Sequence, residues 1–473
     1  MHISSLPNNR GIGSLGKAAY EFVDFLADAG LSLWQVLPLC PTSYGDSPYQ
    51  SPSALAGNPY FIDIDTLIEE GLLKPAEAKE YGKLKPVDYA EVYYERYDTL
   101  RKAYKRFIKN PPADYEEFKA ENAFWLNDYA LFMALKEAHD MQAWETWEDK
   151  YRFRTADMQK FEKNGEFHKF LQYEFFKQWQ KLKEYANFKG IKIVGDMPIY
   201  VAYDSVEVWG NPKQFLLNDD LSRKVVAGVP PDYFSADGQL WGNPIYDWDY
   251  MRETDYEWWV MRMRMALKLY DVVRIDHFRA FADYYVIPAD RTDARVGEWK
   301  PGPGMALFNV INKKLGSPAI IAEDLGELHD CVRQLVRETG YPGMKIMQFS
   351  FDGNPNNDFY YTNYNTNCVA YPGTHDNDTT RGWFEALDDG EKELVKRTLG
   401  YYEDNIVAEI IERLLSSAAD TVIIPMQDFL NLPTKARMNI PSTLGGNWAW
   451  RSEAKWTKKA KSIRKLVEKY DRL

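Results

Sequence analysis

Arg274, Asp276 and His277 stand at the downstream end of an apolar run in the stretch "DVVRIDHFRAF" (271–281), followed by Phe278 and Arg279. Val272, Val273 and Ile275 read as a strand buried on both faces, the apolar run of a parallel sheet. Arg274 and Asp276 lie two apart and so share one face of that strand. A guanidinium beside a carboxyl favours the ionised form and lowers its pKa, which suits a nucleophile. A second, partly desolvated carboxyl without such a partner would keep its proton and serve as an acid. Two carboxyls pushed apart in this way are the signature of retaining glycoside chemistry, where they stand about 5–5.5 Å apart. Polar groups gather at the ends of four further apolar runs: Asp196 after "IKIVG", Glu323-Asp324 after "AIIA", His375-Asp376-Asn377-Asp378 after "YPGT", and Gln427-Asp428 after "IIPM". Each has a structural reading as well. Asp276 could brace a barrel mouth through Arg274, Asp324 competes with Glu323 for any role, and "HDND" could be an Asx-rich turn. His277 and His375 could be core histidines, and the aromatic residues Tyr233, Trp241 and Trp248 could be core rings.

The elements that must hold these groups alternate. "LGKAAYEFVDFLADAG" (15–30) places Leu15, Ala19, Phe22, Val23 and Leu26 at helical spacing and stops at Gly30; "LSLWQVLPL" (31–39) then reads as a strand. A helix over 170–190 precedes the strand 191–196. Strands follow at 272–276, 319–324, 345–351, 368–374 and 421–428, the last preceded by a helix within 403–420. Repeated strand–helix alternation implies a parallel sheet under helical cover. No G-x-G-x-x-G or P-loop follows a strand, which argues against a nucleotide-binding open sheet. The reading is α/β, a (β/α)8 TIM barrel spanning 1–473, whose catalytic groups sit at the C-terminal ends of the strands. Its eighth strand would have to lie around "HISSL", where too few residues are available, so the first strand reads as truncated at the N-terminus. Two insertions interrupt the barrel. Residues 60–165, after the second strand, read as a mainly helical subdomain, and 197–250, after the third, as a loop or lid region.

Composition narrows the partners. A net charge of −12 over 473 residues argues against nucleic acid and against an anionic membrane, since both select basic surfaces. A neutral substrate fits better, and 32 Tyr with 15 Trp supply flat rings for a core, for sugars, or for both. Cys40, Cys331 and Cys368 cannot build a disulfide framework and suit a reducing cytoplasm. There is no CxxC or HExxH pattern, no apolar run of membrane length and no signal-peptide pattern, so neither metal, membrane nor secretion is expected.

Nine segments, in this order, resemble one family: "SSLPNNRGIGSLG", "WQVLPL", "GDSPYQSPSALAGNPY", "GDMPIYVAYDSVEVW", "GVPPDYFSADGQLWGNP", "VVRIDHFRAF", "AEDLG", "GTHDNDT" and "ARMNIPSTLGGNWAWR". The chain resembles the 4-α-glucanotransferases of the amylomaltase or disproportionating type, glycoside hydrolase family 77, relatives of the α-amylases. The resemblance implies Asp276 as nucleophile, Glu323 as general acid/base and Asp376 as the carboxylate that holds the distorted sugar ring. It implies that Arg274 orients Asp276, and that His277, His375 and Asp196 hydrogen-bond hydroxyls of the cleaved sugar. Asp46, Ser47 and Tyr49 fall where the family contacts the non-reducing end of the donor. The 228–244 loop corresponds to the family's lid, with Tyr233 and Phe234 near its tip and Gln239 and Trp241 in its base. The implied substrates are malto-oligosaccharides, amylose or other α-1,4-glucans, with glucan or glucose as acceptor and no cofactor. Family members carry an apolar run leading into the histidine of "HISSL", a feature missing here. The alternatives are an α-1,4-glucan hydrolase with the same carboxylates and a non-catalytic carbohydrate-binding barrel.

Overall fold

The structure is a computed structural model; it describes residues 1–473 except 44, 83, 232–235, 327 and 404. The seven apolar runs each supply one strand of a seven-stranded parallel sheet. In chain order its strands are β1 (Leu33–Gln35), β2 (Lys192–Pro198), β5 (Val272–Asp276), β8 (Ile320–Ala322), β9 (Gly343–Ile346), β10 (Cys368–Tyr371) and β11 (Thr421–Val422), and they pair in that same order. Sequential neighbours with helices between them are the (β/α) barrel plan. The register aligns the strand ends. Asp196 stands opposite Arg274, and Ile275 opposite Ala322, so that Asp276 and Glu323 leave adjacent strands at nearly one level. Gly195 is required beside Asp196, because a Cβ there would lie 2.1 Å from the Tyr270 ring.

The place expected for an eighth strand holds something else. Ile3–Ser5 is a single 3-10 turn. The chain start is fastened to β1 through side chains, with Trp34 Nε1 donating to the Met1 carbonyl at 2.7 Å and the Leu37 amide donating to His2 Nδ1 at 3.2 Å. Between β1 and β11 lies a cavity of about 410 Å³, lined by Leu33 and Trp34 from one edge and Thr421 and Val422 from the other. The two edge strands therefore face each other across one space, and among the described residues no strand bridges it.

The helix read at 15–30 spans Lys17–Asp28 and buries Phe22, Phe25 and Leu26 against the Trp34 and Trp456 side of the core. Gly30, at φ +72°, ends it in the left-handed region that favours glycine. Helices Tyr89–Phe107, Ala113–Glu121 and Ala123–Ala138 occupy the 60–165 stretch. The helix read at 170–190 is longer than its sequence signal: it runs Gln159–Phe188, joining that stretch directly to β2. The run 345–351 is only half strand. After Ile346 the chain turns through a 3-10 segment, Met347–Ser350, closed by the Ser350 hydroxyl on the Met347 carbonyl at 2.7 Å.

The region 197–250 contains more order than a loop reading suggests. Strands β3 (Val225–Val229) and β4 (Gln239–Pro244) pair antiparallel and continue into β6 (Asp283–Pro288) and β7 (Glu298–Pro301), in the order β4-β3-β6-β7. Two of its four strands, β3 and β4, come from the region 197–250, and the other two, β6 and β7, from the chain that follows His277. No helix among the described residues is long and apolar enough to cross a membrane.

Candidate active site

Arg274 is the hub. Its guanidinium is buried, with Nη1 donating to both oxygens of Asp196 at 2.7 and 2.8 Å and Nη2 paired with Asp276 Oδ1 at 2.9 Å. Nε lies 3.3 Å from Met344 Sδ on β9. A lone buried ion pair rarely stabilises a fold, but here one cation is shared by two carboxylates and fixes both at a strand mouth. Asp276 keeps 32 % of its side chain open to the cleft, while the side chain of Asp196 is fully enclosed.

Burial pushes the Asp276 carboxyl above the usual range, and Arg274 pulls against that push. This corrects the expectation that the guanidinium would leave Asp276 with a lowered pKa: desolvation outweighs the ion pair, and Asp196, whose charge also acts on Asp276, adds to the rise. Glu323 is pushed up to about 7 by burial and by the neighbouring Asp276 charge. It accepts the His277 amide at 2.6 Å and the Leu325 amide at 2.9 Å, so its two oxygens are aimed by backbone. The His277 amide can reach it because His277 adopts φ +53°, turning the chain sharply off the end of β5. Asp324 points elsewhere. Its Oδ1 accepts the Met344 amide at 2.8 Å, and its carboxyl packs over Gly343. The choice between the two adjacent acids is therefore made by the backbone each one meets, the His277 and Leu325 amides for Glu323 and the Met344 amide for Asp324.

Asp376 sits in the turn that the sequence allowed as its bland reading. Asn377 Oδ1 accepts the Thr374 amide at 2.9 Å, and the turn presents Asp376 with 48 % of its side chain exposed. Asn439 Nδ2 donates to Asp376 Oδ1 at 2.7 Å, and Arg437 Nη2 donates to its carbonyl at 2.6 Å. The charge of Asp376, like that of His375, acts on Asp276. Turn and site membership are not alternatives here.

Tyr49 links the sides of the cleft. Its hydroxyl donates to Asp196 Oδ2 at 2.8 Å, and its ring stacks on His375 with centroids 5.1 Å apart. Ser47 Oγ accepts the Tyr49 amide at 3.3 Å and Asp46 takes φ +60°, so both shape the turn that delivers Tyr49. Trp241 meets His277 edge-on at 4.7 Å and donates through Nε1 to Gln239 Oε1 at 3.1 Å. Burial drives the His277 imidazole down to about 3, leaving it neutral. Tyr233 and Phe234 lie outside the described residues.

Two sequence expectations change on this geometry. Asp196 was expected at a sugar hydroxyl, but it is enclosed and both oxygens are taken by Arg274 and Tyr49. Gln427 and Asp428, although at a strand end, do not join the site: Asp428 accepts the Thr380 amide and hydroxyl, each at 2.8 Å, and Gln427 donates to the Ala436 carbonyl. Arg437, Asn439 and Trp448 were given no role from sequence. Their signal was the segment "ARMNIPSTLGGNWAWR", which returns the chain over the cleft, where Trp448 packs 5.8 Å from His375.

With this geometry in place, the similarities to known proteins are as follows. The model of the glycoside hydrolase 77 family, described as 4-alpha-glucanotransferase, matches residues 1–456. The chain is 50% identical to a 4-alpha-glucanotransferase of Clostridium butyricum over 466 residues, covering 96% of this chain and 95% of that protein. It is 44% identical to the 4-alpha-glucanotransferase of Thermus thermophilus over 469 residues, covering 95% and 93%. Among solved structures it resembles the amylomaltase of Streptococcus agalactiae in complex with acarbose, with a TM-score of 0.96, 44% identity, and coverage of 100% of this chain and 98% of that one.

Proposed function

Since the chain belongs to glycoside hydrolase family 77, the 4-alpha-glucanotransferases, we propose that Asp276 and Glu323 carry its transfer chemistry by double displacement on α-1,4-glucans. The observation that carries this reading is the difference between two neighbouring carboxyls: Asp276 faces the cleft in an ion pair with Arg274, and Glu323 holds a proton up to about pH 7. Glu323 gives that proton to the glycosidic oxygen as Asp276 attacks the anomeric carbon. The C–O bond to the reducing-end fragment breaks, and a β-glycosyl ester forms on Asp276. Glu323, now ionised, takes the proton of an acceptor's 4-hydroxyl. That oxygen attacks the ester, Asp276 leaves as carboxylate, and the α linkage is restored.

The remaining groups orient and enclose. Arg274 holds Asp276 in place, and Asp196 and Tyr49 act through Arg274 and the cleft wall. His277, neutral, and His375 are assigned to sugar hydroxyls, and Asp376 to the distorted ring, steadied by Asn439. Asp46 and Ser47 set the turn at the donor end. Trp241 and Gln239 are assigned to a lid that keeps water from the ester, which is what separates transfer from hydrolysis, and the sequence reading adds Tyr233 and Phe234 to that role. The substrates proposed are malto-oligosaccharides or amylose as donors and glucan or glucose as acceptor. The relative bound to acarbose supports a cleft of that class. Three unpaired cysteines support a cytoplasmic setting.

Incubation with maltotriose is the direct test. Oligosaccharides longer than the substrate, formed beside glucose, are expected. Glucose and maltose alone would make the chain a hydrolase, and no turnover would make it a binding barrel.

A further inference from the structure

Among the described residues one group of three metal-ligating side chains comes together, and it lies outside the carboxylates described above: Asp283, His329 and Cys331. We propose that these three bind a zinc-class divalent cation. Asp283 opens β6, while His329 and Cys331 flank the first residue of the helix Asp330–Thr339, so the group joins two segments 46 residues apart in sequence. One oxygen of Asp283, Oδ2, faces both partners: His329 Nδ1 hydrogen-bonds to it, and Cys331 Sγ donates to it at 3.5 Å. The ligand atoms of all three lie within 4.8 Å of one another.

The donor set selects the metal. Thiolate with imidazole and a single carboxylate suits a borderline-soft cation and disfavours magnesium or calcium, which take oxygen. Tetrahedral zinc with bonds of about 2.0–2.3 Å puts its ligands roughly 3.3–3.8 Å apart. The Sγ–Oδ2 separation already matches that range. His329 must draw back from Asp283 by about an ångström to do so, and its side chain, 42% exposed, has room for the movement. The fourth position opens to solvent beside the exposed Cys331.

The surroundings are those of a supported ligand. Arg279 Nη2 holds the other oxygen of Asp283, Oδ1, at 2.8 Å, fixing the carboxylate, and the Arg279 guanidinium lies 4.1 Å from the centre of the Trp299 ring. Trp299 in turn meets the His329 ring edge-on at 4.9 Å. A hydrogen bond that orients a ligating carboxylate in this way favours a metal site, while the charge of Arg279, whose Nη2 also lies 3.4 Å from His329 Nδ1, works against a cation there. On binding, the Cys331 thiol releases its proton to solvent as the metal–sulfur bond forms. The bound ion would pin the start of β6, just beyond the turn after His277, to the helix that follows Glu323.

Cobalt(II) as the probe reads the site without reference to activity. Titrating the full chain is expected to give one thiolate-to-cobalt charge-transfer band that saturates at one ion per chain. Zinc should abolish the band by competition and raise the melting temperature. Cys331→Ala should lose the band, and His329→Ala should weaken binding at least ~10-fold; both side chains are exposed enough that folding is not at stake. No band with stoichiometric cobalt, or a band unchanged in Cys331→Ala, overturns the proposal, the latter because Cys40 or Cys368 would then be the ligand.

Discussion

At the scale of single residues, two neighbouring carboxyls differ because their surroundings differ. Asp276→Asn should lower turnover by several orders of magnitude while leaving the melting temperature nearly unchanged, because the amide keeps the shape and loses the nucleophile. Retention of a tenth of the wild-type rate would remove Asp276 from the role. Glu323→Gln should stop turnover of natural glucans yet still form the ester from a glucosyl donor whose leaving group needs no proton. The pH dependence has a definite sign. Transfer with natural glucans should fall as pH rises through about 7, where Glu323 loses its proton, and that limb should vanish with the activated donor. The acid limb should lie above the ordinary carboxylate range, since burial raises Asp276. Stability follows the same linkage. A carboxyl raised in the fold contributes stability at low pH that is lost as pH rises through the folded value of about 7. Wild type should therefore lose on the order of 2 kcal/mol relative to Glu323→Gln between pH ~5 and pH ~8, read by denaturant unfolding at both values.

Elements decide how those residues are held. The turn carrying Asp376 is fastened by Asn439 from a distant segment. Asn439→Ala should reduce kcat roughly 10-fold with little change in melting temperature, the loss of about 1.4 kcal/mol expected of one hydrogen bond to a charged group. An effect on KM alone would place Asn439 in binding and not in steadying Asp376. The lid makes a different forecast. Trp241→Ala, or serine at both Tyr233 and Phe234, should raise the share of free reducing ends several-fold, since one lost aromatic contact is worth about 1 kcal/mol. An unchanged ratio of hydrolysis to transfer in a folded variant would move water exclusion to another element.

For the whole molecule, the seven strands of the main sheet among the described residues leave two edges. β5 is paired on both sides, whereas β1 and β11 each have one neighbour and face the cavity between them. Hydrogen exchange by mass spectrometry should find the amides of β1 and β11 opening faster than those of β5, because edge amides have fewer partners and less burial. Equal protection across the sheet would mean that packing from the cavity side closes the barrel as well as a strand would.

Sequence alone determined the strands and the acids that end them, because a two-residue period and an apolar run are local properties of a chain. Seven runs became seven strands in order, and Arg274 and Asp276 were legible as neighbours since they share a strand face. Family likeness was legible in nine segments for the same local reason. Tertiary structure decided what depends on distance through space. It separated Glu323 from Asp324 by fixing the β8–β9 register, and it enclosed Asp196 behind Arg274. It paired 225–229 and 239–244 with 283–288 and 298–301 into a second sheet, because partners that far apart in sequence leave no local signal. It also reversed the expected shift of Asp276, because desolvation is a property of the folded cleft and a neighbouring charge in the sequence says nothing about how much water remains around it.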